Sequence, residues 1–186
     1  MTDEQKTILQ ITKKIEELAK DANEIRSRMF EESRKLFTKG VKKLFSDYTE
    51  LNSFSWVQYT PYFNDGDECI FSVYTESLGI NGSEDISLYY LENLLSDLEQ
   101  KDISIERYTK KLSLCDDYTR EFYEDTIKLL ETTDIDELRK QVKTITDIRR
   151  NFLDKIESDV FQGMFGDHVR VIVSRSDIKT EKFEHE

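Results

Sequence analysis

Residues Phe54–Tyr74 read FSWVQYTPYFNDGDECIFSVY, and they decide the fold because two alternating runs flank a group of turn-forming residues. Phe54–Thr60 and Glu68–Tyr74 alternate with the two-residue period of a strand that buries one face. Between them, Pro61-Tyr62-Phe63-Asn64-Asp65-Gly66-Asp67 contains the Asp-Gly pair of a tight turn. The stretch predicts a β-hairpin presenting a loop, and it holds the chain's one Trp and one Pro.

Upstream of this hairpin the period changes. Apolar residues fall at Ile8, Ile11, Ile15, Leu18, Ala22, Ile25 and Met29, in the alternating steps of three and four that make a coiled-coil seam. The phase then slips by one residue, and Phe30, Phe37, Val41, Leu44, Tyr48 and Leu51 carry the stripe onward. A slip of this kind relieves the drift of a straight helix against a strict heptad. One helix over residues 4–50 would span roughly 70 Å, with Gly40 the expected place for a break or kink. The flanking positions, Lys14, Asp21 and Arg28 on one side and Thr12, Ala19 and Arg26 on the other, make no consistent complementary ladder. Two readings of the seam stand side by side: it packs on the protein's own later helices, or it forms a homo-oligomer through this helix.

Downstream, Ser77–Ser83 has the glycines, serines and asparagine of a surface loop. Helical patterning resumes with Ile86, Tyr90, Leu91, Leu94, Leu95 and Leu98 on one face. Ile105, Tyr108, Leu112, Cys115, Phe122, Leu129 and Leu130 form a second. Asp134 followed by Glu137 resembles a capping box opening a third helix, whose stripe is Leu138, Val142, Ile145, Ile148, Phe152, Ile156 and Val160. Gly163 and Gly166 end it, and His168–Val173 is rich in β-branched residues, as strands are. The predicted fold is α+β and mainly helical: a long N-terminal helix with about three further helices, packed with a small antiparallel sheet formed by the hairpin 54–74 and a strand at 168–174. Residues 1–50 are the amphipathic, coiled-coil-like helix, 51–175 the α+β body, and 176–186 a mobile tail that includes His185.

The net charge of −12 is unevenly placed. Residues 1–50 carry 11 basic and 10 acidic groups, residues 51–140 carry 8 and 20, and residues 141–186 carry 8 and 9, so the acidity belongs to the middle. Such a surface repels phosphates and anionic membranes, which disfavours nucleic acid as a partner there. The outer face of the first helix is basic, with Arg26, Arg28, Arg34, Lys35, Lys39, Lys42 and Lys43, but Glu31 and Glu32 interrupt it. No apolar run approaches the roughly 20 residues of a membrane span, and the N-terminus lacks the apolar block of a signal peptide, so the expected location is the cytoplasm with no membrane partner. Cys69 and Cys115 are too few for a disulfide framework and read as reduced, partly buried thiols.

Candidate chemistry is sparse. Asn64, Asp65, Asp67 and Glu68 offer hard oxygen ligands, but without the spacing of an EF-hand, and no metal is assigned. A pairing of His168 with Cys69 or Cys115 has no local signature, and neither a phosphate-binding loop nor a nucleophile motif is present, so no catalytic residue and no cofactor are assigned. Pairs such as Asp116-Asp117 read as solvated helix surface. The candidate binding residues are Trp56, Tyr59, Tyr62, Phe63, Asn64, Asp65 and Asp67 of the hairpin, because aromatic groups give contact area at small entropic expense. Arg170 and Arg175 of the last strand join them as phosphate or acidic-group contacts.

WVQYTPYFNDGDECIFSV, Trp56–Val73, resembles a segment of uncharacterised accessory proteins of large tailed bacteriophages, over about a tenth of the chain. The resemblance implies a setting in which small acidic phage proteins bind, and in some cases inhibit, host proteins. The resulting expectation is a non-enzymatic acidic interaction protein with a host or other protein partner. The alternative is a small-molecule or nucleotide-binding module that uses the hairpin aromatics and the arginines of the last strand.

Overall fold

The computed structural model describes residues 3–63, 65–83, 86–115 and 117–184. The chain runs α1 (Asp3–Asp47), β1 (Ser53–Tyr59), β2 (Ser72–Ile80), β3 (Ile86–Ser87), α2 (Leu88–Glu99), α3 (Lys101–Leu112), α4 (Asp117–Thr132) and α5 (Ile135–Thr146). A π-helical turn (Asp147–Phe152) and a 3-10 turn (Leu153–Lys155) follow, then α6 (Ser158–Phe165), β4 (Val169–Ser174) and β5 (Ile178–Lys182). The strands form an antiparallel sheet in the order β3-β2-β1-β4-β5. The architecture is α+β with a long N-terminal helix and a small antiparallel sheet, as the patterning predicts.

β1 alternates as expected, burying Phe54, Trp56 and Gln58 against the helices and turning Ser55, Val57 and Tyr59 outward. Its hairpin partner differs from the prediction. β2 begins at Ser72 rather than Glu68 and continues through Ser77-Leu78-Gly79, the segment expected to be a surface loop. Phe54 pairs with Ile80, Ser55 with Gly79 and Val57 with Tyr74, so Thr75–Leu78 form a bulge opposite Trp56. The bulge turns Leu78 fully into the core and lets the Thr75 hydroxyl donate to the Asp154 carboxylate at 2.8 Å. The tail expected to be mobile from Ser176 instead forms β5, whose Ile178 pairs with Val173 and whose Lys182 pairs with Val169.

The second predicted helical stripe divides between α3 and α4, which pack on each other, and Phe122 lies exposed rather than buried. The third divides among α5, the π-helical and 3-10 turns and α6. Its predicted start is present: the Asp134 side chain accepts from the amides of Asp136 (2.9 Å) and Glu137 (3.2 Å). Gly166, at φ +91°, ends α6.

The core joins the inner sheet face to α1, α2, α5 and α6 through Phe37, Trp56, Leu78, Leu88, Ile145 and Phe161. Gln58 is its one fully buried amide side chain among the described residues. Its oxygen accepts from the Trp56 indole N–H at 3.1 Å, and its nitrogen donates to the carbonyls of Phe161 (3.3 Å) and Gly166 (2.6 Å). The amide thereby ties the C-terminal end of β1 to the C-terminal half of α6, which offsets the desolvation of burying it.

α1 passes through Gly40 unbroken, contrary to the expected break. Glycine is required there for packing: a Cβ would sit 2.4 Å from Phe152 Cε2. The same device recurs where α6 meets α1, since a Cβ on Gly163 would sit 2.2 Å from Phe30 Cε1. From Phe37 to Phe45 one side of the helix is a wall of the core; every residue from Glu4 to Met29 is exposed. The reading in which the stripe packs on the chain's own later elements therefore holds from Phe37 onward and is overturned for Ile8 to Met29.

Candidate functional site

Strand alternation places one row of side chains on the sheet face away from the core. Tyr74, Val57, Arg170 and Glu181 are successive register partners across β2, β1, β4 and β5. Along this row the Tyr59 ring stacks on Tyr74 with centroids 4.3 Å apart and meets Phe183 at 5.6 Å. The Arg170 guanidinium lies 5.9 Å from the Phe183 centroid, within cation–π range. Burial, together with the hydrogen bond that the Tyr74 hydroxyl shares with Tyr59, pushes the Tyr74 phenol up to about 12.

The loop after β1 is fixed at its base. Asp167 accepts from the Thr60 amide (2.8 Å), the Thr60 hydroxyl (2.6 Å) and the His168 amide (2.8 Å). Burial acts to raise its pKa, but these donors outweigh burial and hold the carboxyl below its ordinary value. His168 has φ +53°, an uncommon conformation for a non-glycine residue, and its ring stacks on Tyr62 at 4.9 Å. Beyond this anchor the loop turns through Asp65 (φ +42°) and Gly66 (φ +97°). Tyr62, Phe63 and Ile70 are 67%, 75% and 67% exposed, and the acidic Asp65, Asp67 and Glu68 are exposed among them. A rigid base carrying an exposed apolar tip with a carboxylate rim is suited to insertion into an apolar pocket bordered by cations.

The candidate residues read from the sequence separate into three groups. Tyr59, Tyr62, Phe63, Asp65, Asp67 and Arg170 belong to this outer face and its loop. Asn64 lies outside the described residues, as do His185 and Asp116. Trp56 and Arg175 do not belong to the site. Trp56 is fully buried, packed edge-on against Phe161 at 5.6 Å, and offers no face to a ligand. The Arg175 guanidinium donates to the carbonyls of Phe45 (3.0 Å), Tyr48 (3.1 Å) and Thr49 (2.7 Å), capping the C-terminal end of α1. It cannot serve as the phosphate contact proposed for it without giving up that cap. Tyr74, Ile70, His168 and Phe183 were not among the candidate binding residues; the alternation of β4 placed His168 and Arg170 on one face, but the polar Lys179–Lys182 run concealed the strand that delivers Phe183.

Among the described residues, no three of His, Cys, Asp and Glu converge as metal ligands. The Cys115 thiol donates to the Leu112 carbonyl at 3.3 Å, at the end of α3. Among the described residues, no helix is long and apolar enough to cross a membrane. No family model, curated protein or solved structure matches the chain.

Proposed function

We propose that this is a non-enzymatic interaction protein that seats the loop Thr60–Phe71 in an apolar, cation-rimmed pocket of a protein partner. The observation that carries the reading is the exposure of Tyr62, Phe63 and Ile70 on a loop whose base Asp167 and His168 hold in place. Three large apolar side chains exposed within one short anchored segment exceed the scattered singles of an ordinary surface. The finer setting, a phage accessory factor that binds and inhibits a host protein, rests on the resemblance over Trp56–Val73 alone.

The alternative reading, a small-molecule or nucleotide module, draws support from the Tyr59–Tyr74 stack beside Phe183 and Arg170, although it loses Trp56 and Arg175 from its proposed contacts.

The test is affinity capture from lysate of a tailed-phage host with the intact protein and with a Tyr62→Ala/Phe63→Ala/Asp67→Ala variant, both checked for fold by circular dichroism. A stoichiometric partner retained only by the intact protein supports the loop reading. Equal capture by both removes the loop from the mechanism. No capture by either, with nucleotide-dependent changes in tyrosine fluorescence, transfers the function to the aromatic row.

A further inference from the structure

We infer that the seam of α1 pairs with the same seam of a second copy of this chain, an interaction separate from that of the loop. Residues 4–29 leave the body as bare helix, about 39 Å long at 1.5 Å per residue. Along one side, Ile8, Ile11, Ile15, Leu18, Ala22, Ile25 and Met29 keep the heptad spacing for three full repeats, and Ile15 is 61% exposed. The seam residues are exposed, and they lie on a different side of the helix from Phe37, Val41 and Phe45, which enter the core. Glu32, the next position in the repeat, closes the apolar run.

The flanking charges select the occupant. They form no continuous ladder, but they are self-complementary. In a parallel, in-register pair the positions before Ile15, Ala22 and Met29 each face the position five further on in the partner. Asp21 then meets Arg26 of the second copy, Lys14 meets Ala19, and Arg28 meets Ser33. In the antiparallel pair that sets Ile15 against Leu18, Lys14 meets Asp21 of the second copy. Each direction supplies two attractive pairs by symmetry and opposes no like charges at these positions. A foreign helix would have to reproduce this pattern, whereas a second copy carries it already.

Sedimentation velocity on the full chain from about 1 to 100 µM tests the inference. The expected species is a dimer of the 22.1 kDa chain that dissociates on dilution. Ile15→Glu/Leu18→Glu, both at exposed positions, should weaken association more than about 100-fold while the loop's partner binding persists. Asp21→Lys should weaken it about tenfold, and adding Arg26→Asp for a parallel pair, or Lys14→Asp for an antiparallel one, should restore it. A monomer at every concentration overturns the inference, including one whose seam captures a different protein. So does an assembly that survives the double glutamate variant, and so does failure of both charge swaps to restore association. The loop variant Tyr62→Ala/Phe63→Ala/Asp67→Ala should associate as the parent does, so the two interactions fail separately.

Discussion

Phe152 presses its ring edge into the space where Gly40 lacks a side chain, with only 2.4 Å between Phe152 Cε2 and the position a Cβ would occupy. Two effects of Gly40→Ala oppose each other. Alanine gains up to about 1 kcal/mol of helix propensity, while overpacking a filled site costs about 1–3 kcal/mol. The Phe152 ring is also packed on Phe37 at 5.1 Å, so it has little freedom to retreat. Gly40→Ala should therefore destabilise the fold by about 1–2 kcal/mol in urea unfolding. A gain in stability would show that the ring moves aside freely.

Gln58→Leu should be far more damaging. It removes three hydrogen bonds in one step and takes that partner from the buried Trp56 N–H and Phe161 carbonyl and from the part-buried Gly166 carbonyl. At about 1–3 kcal/mol for each stranded group, the loss should reach about 3–5 kcal/mol. Trp56 fluorescence, read during unfolding, reports this directly; a loss under about 1 kcal/mol would mean that other groups replace the amide.

Arg175→Ala uncaps α1 and should cost about 2–3 kcal/mol, because a charged donor is taken from three carbonyls at the negative end of the helix. Arg175→Lys should recover less than half, since one ammonium cannot reproduce the planar fork. Full recovery by lysine would reduce the role of Arg175 to charge alone.

Asp167 predicts an acid limb in stability. Its folded pKa lies below the ordinary 3.8, so the carboxylate binds protons less readily in the folded state. Its contribution is fully present above the unfolded value and is lost as pH falls through the folded value. Asp167→Asn should flatten the stability curve below about pH 4 and loosen the Thr60 end of the loop. An unchanged acid limb would assign it to other carboxylates, of which Asp97 is the first to examine. Burial raises the pKa of Asp97, but Tyr108, Arg107 and Ser104 outweigh burial and lower it.

The exposed part of α1 should lose its helix when the seam is unpaired. Among the described residues it is held by its own turns and by surface pairs such as Lys14–Glu17 at 3.5 Å, worth a few tenths of a kcal/mol each. Hydrogen exchange on the Ile15→Glu/Leu18→Glu variant should show fast amides over residues 4–29 and slow ones from Phe37 to Phe45. Equal protection along the whole helix would contradict this.

What the sequence discloses about this fold follows from where its signals are local. β1, the Asp134 cap and the Gly166 stop each depend on a few neighbouring residues, and each is legible within about a residue. The course of β2 is not, because the Ser77-Leu78-Gly79 composition reads as loop while its position is set by pairing with Ser55 across the sheet. Heptad spacing reveals an apolar side of α1 but does not say what covers it, since burial is a tertiary property. The site divides in the same way. Tyr62 and Phe63 announce themselves as aromatic loop residues, whereas Trp56 has the same composition signal and the opposite fate, assigned by its alternation with Phe54 and Gln58. Arg175 reads as a phosphate contact until the end of α1 is placed beside it.

Continuity of α1 through Gly40 also makes the protein a ruler. One unbroken rod is core wall at one end and free shaft at the other, and the close fits of Phe30 on Gly163 and Phe152 on Gly40 fix its heading relative to the sheet. Whatever grips the shaft is held at a set distance and azimuth from the loop beside His168. Two loops mounted on one such axle would sample a defined spacing on a partner surface, favouring targets whose own sites repeat at that interval.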